Sequence, residues 1–209
     1  MTTSRRALNI EATRAALLAA ARRAFAAHGY AGTELAVVAA DAGVTTGAIY
    51  HHFAGKQGLF QAVAEQMEGE VLVGAAATPD TREMQTDPLS RLRQGFDALI
   101  EVCAEADVQR IIFVEAPQVL GPETWREIEL RYALGAVRAV LAALSAEQVI
   151  RPYPVDLLAR VLLALLREAS GEVARTRGDV AAREAVGELV ASVFDGLFGP
   201  ATAGGAGSA

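Results

Sequence analysis

Apolar side chains recur every three or four residues along most of the chain, and no stretch alternates clearly between apolar and polar positions. This pattern predicts an all-α protein. The first predicted helix runs from about residue 10 to residue 27 and stops at Gly29, since glycine is common just after a helix. A short second helix starts after Thr33, whose side chain can cap it, and ends at Gly43. Val44 begins the next apolar stretch at once, so a short turn joins two short helices, which predicts a helix-turn-helix unit.

The remaining predicted helices are bounded by glycine, proline and helix-capping residues. Asp87 followed by Pro88 is the clearest start, because aspartate caps a helix and proline fits its first turn. The predicted helices run from Lys56 to about residue 76, from Pro88 past Cys103, from Asp107 to about Pro117, from Pro122 past Leu141, from residue 155 to 176, and from about residue 180 to 198. The closing segment GPATAGGAGSA predicts a flexible tail.

The last two predicted helices carry apolar stripes that are wider than one core contact needs. Two such helices from each of two chains can form a four-helix interface, so the stripes predict a homodimer. The alternative is a pair of helices that is fully buried within one chain. The residues predicted at the dimer interface are Leu158, Val161, Leu162, Leu165, Val186, Leu189, Val190, Val193, Phe194 and Leu197.

The segment GVTTGAIYHHF, residues 43–53, separates two kinds of side chain when successive residues are placed about 100° apart around a helix. Ile49 and Phe53 point toward the preceding helices. Thr45 is the natural N-cap, so the helix begins at Thr46. The opposite side carries small and polar residues: Thr46, Gly47, Ala48, Tyr50 and His51.

This outer side suits the major groove of DNA, where a helix must come close before short side chains reach the base edges. A glycine inside a helix costs roughly 1 kcal/mol relative to alanine, so Gly47 requires a reason, and close approach of a partner supplies one. Tyr50 and His51 can donate hydrogen bonds to phosphate oxygens, and Thr46 can bond a base or a phosphate. The methyl group of Ala48 can contact a thymine methyl group. Double-stranded DNA is therefore the predicted partner.

The distribution of charge favours the same end of the chain. Residues 1–56 carry six basic and three acidic side chains, a net charge of +3. Residues 57–209 carry 13 basic and 22 acidic side chains, a net charge of −9. Lys56, the only lysine, begins a predicted helix where its ammonium group can reach phosphate. A basic head on an acidic body indicates that only the head meets a polyanion.

Several residues of this head also allow other interpretations. His51 and His52 are adjacent and diverge by about 100° on a helix, with no third ligand near, so they do not predict a metal site. Tyr50 and Phe53, taken alone, are typical core residues. The single cysteine, Cys103, has no partner for an internal disulfide or a cysteine-rich metal site. We predict neither a metal nor a cofactor.

The sequence predicts a cytoplasmic protein without a membrane partner. No apolar run approaches the roughly 20 residues that span a bilayer. The N-terminus lacks the apolar core of a secretion signal. The lone cysteine agrees with a reducing compartment.

The segment TELAVVAADAGVTTGAIYHHFAGKQGLFQAV resembles the DNA-binding segment of the tetracycline-repressor (TetR) family. The resemblance covers about residues 10 to 62. The matching positions are Gly29-Tyr30, Thr33, Ala39-Ala40, Gly43-Val44, Gly47, the block Tyr50-His51-His52-Phe53, Lys56 and Leu59-Phe60. The resemblance implies contacts with phosphates or bases at Thr33, Thr45, Tyr50, His51 and Lys56. Thr46 stands where a basic residue is common in the family, so one phosphate contact of the family is not expected here.

The resemblance also implies an all-helical homodimer whose body binds a small molecule. The expected domains are a DNA-binding head at residues 1–55, a ligand-binding and dimerising body at 56–198, and a tail at 199–209. The expected function is that of a transcriptional regulator, most naturally a repressor that binds a palindromic operator and is released by a hydrophobic or aromatic effector. The helix from Lys56 would act as the lever that changes the spacing between two heads.

The candidate ligand-binding residues lie on the predicted helices between about residues 88 and 145, and each is equally suited to an ordinary core. They are Phe96, Cys103, Phe113, Trp125 and Tyr132. Arg110, Glu115 and Arg167 could add polar contacts, although structural salt bridges suit them better.

Two other functions remain open: a helical enzyme whose head targets DNA, and a helical interaction module. The chain has no nucleophile paired with a base, no glycine-rich phosphate loop after a strand, and no spaced carboxylate–histidine cluster. No enzyme is therefore predicted.

Overall fold

The computed structural model of the protein describes residues 5–76, 87–177 and 179–198. Within these ranges every regular element is helical, which confirms the all-α prediction. The elements are α1 (Arg5–Gly32), α2 (Leu35–Asp41), α3 (Thr46–Phe53), α4 (Lys56–Ala76), α5 (Pro88–Cys103), α6 (Ala106–Val108), a π-helical segment (Gln109–Glu115), α7 (Ala116–Leu120), α8 (Pro122–Arg131), α9 (Ala133–Ala146), α10 (Val155–Arg175) and α11 (Val180–Phe198). The predicted tail at 199–209 lies outside the described residues.

The first three helices form the head, and the start of α4 packs into their apolar core. The fully buried Leu17 and Phe25 of α1 meet Val38 of α2, Ile49 of α3 and Phe60 of α4. α1 begins earlier than predicted, and its regular course breaks at the predicted glycine. The chain therefore turns toward α2 at the position that the sequence predicts.

The connection between α1 and α2 corrects one prediction. Gly29 has φ 71° and ψ 172°, backbone angles that suit glycine. Thr33 does not cap α2, because Glu34 occupies the N-cap position. The Thr33 hydroxyl instead donates a hydrogen bond of 2.7 Å to the Gly29 carbonyl oxygen. This bond ties the turn to the end of α1.

The start of α5 follows the prediction closely. The Asp87 side chain accepts hydrogen bonds from the backbone N–H groups of Leu89 and Ser90, at 2.9 and 3.2 Å. Pro88 occupies the first turn, where a missing N–H is harmless. Phe96, Ile100 and Cys103 are buried on one side of the helix.

Two predicted helix boundaries are wrong. The helix predicted to end near Pro117 continues to Leu120, because the chain passes from a π-helical segment into α7 and proline then falls in a first turn. The single helix predicted from Pro122 past Leu141 is broken at Tyr132, where the backbone has φ −108° and ψ −93°. Gly135 follows the break by three residues, and a Cβ atom there would collide with the Leu130 carbonyl oxygen, so this glycine accommodates the break.

The last two helices have the predicted bounds, and they correct part of the predicted dimer interface. Four of the predicted interface residues are buried within the chain itself, because α10 packs against α5 and α9, and α11 packs against α10. These residues are Leu158, Leu162, Val190 and Phe194. The Phe194 ring lies 5.0 Å from that of Phe96, centroid to centroid. These four side chains therefore belong to the core of one subunit.

The rest of the stripe remains accessible. Val161 is 44% exposed and Leu189 is 62% exposed, and Leu157 beside them is 53% exposed. The remaining predicted interface residues, Leu165, Val186, Val193 and Leu197, are half-buried. The helix pair is thus neither fully buried nor fully exposed. None of the helices in the described ranges combines the length and hydrophobicity needed to cross a bilayer.

Candidate DNA-binding surface and ligand cavity

The outer side of α3 is accessible, as its periodicity predicts. Thr45 is the N-cap residue, with φ −86° and ψ 156°, and the helix starts at the next residue. Ile49 and Phe53 are buried, whereas Tyr50 is 60% exposed. The same outer side carries two exposed residues, Gly47 and His51, and two half-buried ones, Thr46 and Ala48.

Open space surrounds Gly47. A Cβ atom added there would lie 3.7 Å from its nearest neighbour, Thr45 Oγ1, so internal packing does not require glycine. At Gly58, by contrast, a Cβ atom would collide with the carbonyl group of Phe53. That second glycine lets α4 pass close to α3, while Gly47 leaves a shallow, accessible surface.

Two cations lie beside α3. Lys56 is half-buried, with its Nζ atom 3.3 Å from the carbonyl oxygen of Ala31 and 4.8 Å from the centre of the Tyr30 ring. Arg14, which the sequence pattern did not single out, holds its guanidinium group 4.5 Å from the centre of the Phe53 ring. Its hydrogen bond to the backbone of α3 spans 38 residues, so no local pattern reveals it. The two cations add positive charge near α3.

Thr33 does not lie on this surface. Its side chain is 3% exposed and is bound to Gly29, as described above. The contact with DNA that the family resemblance implied for the Thr33 side chain is therefore not supported. Burial here has a structural reason, since this hydroxyl holds the α1–α2 turn.

A cavity of about 440 Å³ lies inside the helical body, between α4, α5, the π-helical segment, α8, α9 and α10. Two predicted ligand-binding residues, Cys103 and Phe113, line it. Much of its wall is apolar and includes Ile112, Leu134 and Leu166. Small-molecule sites commonly have volumes of roughly 300–1,000 Å³, so the cavity is large enough for a compact ligand.

Two carboxyl groups in this cavity were missed by the sequence analysis. Glu68 on α4 is only 6% exposed, and burial, aided by the charge of Glu129, raises its pKa to about 7. Burial also raises the pKa of Glu129 on α8, against the opposing effect of Arg167. Glu68 follows the buried Ala64 by four residues, so it falls on the apolar stripe of α4. This position on the apolar side of the helix is the sign in the sequence that Glu68 is buried.

The thiol of Cys103 is not a reactive group. Burial, followed by the charge of Glu68, raises its pKa to about 12. The thiol is therefore protonated at neutral pH and acts as a small apolar side chain.

The other three candidates do not line this cavity. Phe96 lines a more open groove of about 570 Å³ between α5, α9 and α10. Trp125 is 7% exposed and Tyr132 is half-buried, and neither lines the cavity or the groove. The structure thus brings together two of the five predicted ligand-binding residues, Cys103 and Phe113, in one cavity.

Family models match both parts of the chain. Residues 17–63 match the model described as bacterial regulatory proteins, tetR family. Residues 89–197, more than half of the chain, match the model described as tetracyclin repressor-like, C-terminal domain. The protein belongs to the TetR family.

Known proteins similar to this TetR-family chain include regulators from several bacteria. The Transposon Tn10 TetC protein of Escherichia coli is 28% identical over 154 residues, which cover 74% of this chain and 76% of TetC. The HTH-type transcriptional repressor BepR of Brucella suis is 36% identical over 104 residues, about half of each chain (48% and 47%). A TetR-family transcriptional regulator from Pectobacterium atrosepticum, solved as a crystal structure, has a TM-score of 0.70 and 31% identity, covering 94% of this chain and 98% of that one. BepR and the Pectobacterium protein are transcriptional regulators, and the chain is a TetR-family transcriptional regulator.

In this TetR-family fold the π-helical segment connects the head to the body. Arg110 donates hydrogen bonds of 3.0 and 3.1 Å to two backbone carbonyl oxygens of α1. Glu115 accepts a hydrogen bond of 2.8 Å from the backbone N–H of Tyr30. The two side chains also pair with each other at 3.6 Å, the structural role that suited them best. Gly29 has no side chain in the space that the Glu115 carboxylate occupies.

A second connection lies one turn earlier on α1. Arg22 pairs with Glu70 of α4 at 2.6 Å and with Asp107 of α6 at 2.8 Å. In addition, the Gln57 side chain of α4 donates a hydrogen bond of 2.9 Å to the carbonyl oxygen of Val119. Head and body are therefore joined by several specific polar contacts.

Proposed function

We propose that the protein is a ligand-responsive repressor that binds a palindromic DNA site as a homodimer. Residues 1–55 act as the DNA-binding head, and residues 56–198 act as the ligand-binding and dimerising body. The observation that carries the proposal is the accessible outer side of α3, where Gly47 lacks a side chain although its own chain leaves room for one. The similarity to BepR, a transcriptional repressor, supports repression over activation.

The proposed DNA contacts divide into two groups. Gly47 and Ala48 approach base edges in the major groove, with Thr46 at the same end of the helix. Tyr50 and His51, which are exposed, donate to phosphate oxygens. Further phosphate contacts come from Thr45, whose hydroxyl makes no capping hydrogen bond, and from Lys56. The lysine first leaves the carbonyl oxygen of Ala31, a small loss because a hydrogen bond in solvent contributes little net free energy.

The proposed homodimer forms through the exposed part of α10 and α11. Leu157, Val161 and Leu189 lie on these helices with 44–62% of their surface exposed. Exposed large apolar residues on neighbouring helices are typical of an interface between copies. A two-fold axis through this surface relates two heads, and two half-sites of a palindrome follow the same symmetry.

The proposed response to a ligand uses the elements that touch both the cavity and the head. Ile112 and Phe113 of the π-helical segment line the cavity, while Arg110 and Glu115 of the same segment hold α1. α4 likewise carries Glu68 in the cavity and contributes its first turns to the head core. A hydrophobic effector that repacks this wall shifts the head. A typical coupling of about 1–3 kcal/mol changes DNA affinity roughly 5- to 150-fold.

Binding of the purified protein to palindromic duplexes selected from a random library tests the proposal. We expect nanomolar binding of one dimer per site. Tyr50→Ala and His51→Ala should each weaken it about tenfold. The matched control is His28→Ala, because His28 is also an exposed histidine of the head but lies on α1. If no duplex is enriched, or if His28→Ala weakens binding as much as His51→Ala, the proposal is wrong.

A further inference from the structure

The interior of the cavity holds a carboxyl group whose charge has no evident partner. Glu68 is more than nine-tenths buried and faces the cavity. Among the described residues, the side-chain hydrogen bonds donated by α4 glutamines go to Glu65, Glu70 and the Val119 carbonyl oxygen and none goes to Glu68, whose carboxylate oxygens remain accessible from the cavity. A buried carboxylate without a partner is costly, and such groups in folded proteins usually meet a cation or a hydrogen-bond donor. The cavity is the side from which a partner can reach it.

Glu129 provides a second carboxyl group in the wall of the cavity. It lies on α8, and its charge is one cause of the raised pKa of Glu68. Two carboxyl groups that repel each other in an apolar space favour a positive charge between them. The surrounding wall from Ile112, Phe113 and Leu134 favours an apolar body attached to that charge.

The cavity also contains basic residues. Arg126, Arg160 and Arg167 line it and are exposed, and the charge of Arg167 acts on Glu129, whose pKa it lowers. Arg138, also exposed, is paired with Asp156 at 2.7 Å. The remaining titratable group, Cys103, is a neutral thiol. Glu68 is thus the acid of the cavity whose charge no neighbouring cation offsets among the described residues.

We propose that this cavity binds an apolar molecule carrying one protonated amine, with the ammonium group between Glu68 and Glu129. The inference names the class of effector for the proposed regulator and rests on that function only for its effect on DNA. An ammonium group replaces the missing hydrogen-bond donor of Glu68 and relieves the repulsion between the two acids. The apolar part of the molecule fills the space near Phe113.

Three compounds with one hydrocarbon skeleton test the charge preference: 4-phenylbutylamine, 4-phenylbutanol and 4-phenylbutanoate. Isothermal titration and thermal shift would measure their binding to the full chain at pH 8. We expect the amine to bind at least tenfold more tightly than the alcohol, and the carboxylate more weakly still. Equal binding of the three compounds, tighter binding of the carboxylate, or no binding of the amine would overturn the proposal.

Two variants locate the ammonium group. Glu68→Gln removes a charge with little change in shape, and it should reduce the preference for the amine over the alcohol at least fivefold. Glu65→Gln is the matched control, because Glu65 is a half-buried acid of the same helix that does not line the cavity. An amine preference that survives Glu68→Gln, in a variant with unchanged helical content by circular dichroism, contradicts the assignment.

The same titrations distinguish this inference from the proposed function. Binding of the selected palindrome without binding of the amine refutes the effector class and leaves the repressor proposal standing. Binding of the amine by a protein that enriches no duplex supports the cavity assignment and refutes the repressor. If both bind, the amine should weaken the DNA complex about fivefold or more.

Discussion

The outer side of α3 and the cavity in the body are both proposed recognition surfaces, but they differ in how exposed and how polar their residues are. On α3 the side chains are small or exposed, and Gly47 leaves open space on the outer side of the helix. In the cavity the decisive groups are buried, and Glu68 has a pKa far above that of a carboxyl group in water. A large polyanion can be recognised at the surface, whereas a small molecule must be desolvated to be held. The two regions should therefore respond differently to substitution, pH and salt.

The largest expected effect concerns stability at the cavity. The pKa of Glu68 rises from its ordinary value of 4.5 to about 7 in the fold, so the folded protein binds the proton more tightly than the unfolded chain. The resulting contribution to stability is complete below about pH 4.5 and is lost as pH rises through 7. Between pH 4.5 and pH 8 the wild type should lose about 3 kcal/mol relative to Glu68→Gln, measured by urea unfolding. Glu65→Gln should show the same pH dependence of stability as the wild type. If the stability of all three proteins changed equally with pH, the raised pKa of Glu68 would be contradicted.

The next largest effect is a loss of DNA affinity that is not accompanied by a loss of stability. Gly47→Leu puts a bulky side chain on the outer side of α3, where the chain itself has room. DNA binding should fall roughly 30-fold, about 2 kcal/mol, while the melting temperature stays the same or rises, because leucine favours a helix. Gly95→Leu is the control, since Gly95 also has open space but lies on α5. A variant that keeps full DNA affinity would remove α3 from the interface.

A smaller effect is expected at the connection between the two regions. Glu115→Ala removes the acceptor of the Tyr30 N–H group and should lower the free energy of unfolding by about 1–2 kcal/mol. Hydrogen exchange should accelerate at the Tyr30 amide in particular. Glu105→Ala serves for comparison, because Glu105 is exposed and its side chain makes no capping hydrogen bond. Unchanged exchange at Tyr30 would mean that this hydrogen bond does not hold the head.

The smallest effect concerns Lys56. Lys56→Met should weaken DNA binding only a few-fold and reduce the slope of log affinity against log salt by about 0.9 for each phosphate that the lysine neutralises. The same measurement on Arg175→Gln, an exposed cation on α10, should leave the slope unaltered. A slope that is equally steep in both variants would show that the ammonium group stays on Ala31 when DNA binds.

The same comparison explains what the sequence could and could not predict. The α3 surface is contiguous: its outer and inner residues follow from one helix repeat within residues 43–53, and the burial of Ile49 and Phe53 agrees with it. The cavity is assembled from residues far apart in the chain, such as Glu68, Phe113 and Glu129. Periodicity says which side of a helix is apolar but not which helices enclose an empty space.

The errors have similar physical causes. Trp125 and Tyr132 are candidates by residue type alone, and the helix break falls at Tyr132 itself, where the sequence has neither glycine nor proline. Four buried residues of the α10–α11 stripe are predicted at a partner chain, because an apolar residue that meets its own chain has the same pattern as one that meets a copy. Threonine is common at DNA contacts, but the Thr33 hydroxyl donates its hydrogen bond to the Gly29 carbonyl oxygen within the turn.

The division of the α10–α11 stripe has a consequence for how the regulator would respond to its own abundance. Leu158, Leu162, Val190 and Phe194 are buried within a single subunit, so a second copy is not needed to cover them. In the proposed homodimer, pairing through Val161 and Leu189 would then be a separate equilibrium, governed by concentration. Occupancy of a two-half-site operator by such a protein rises with the square of the subunit concentration when dimers are scarce, so gene control would sharpen at low expression without any further partner.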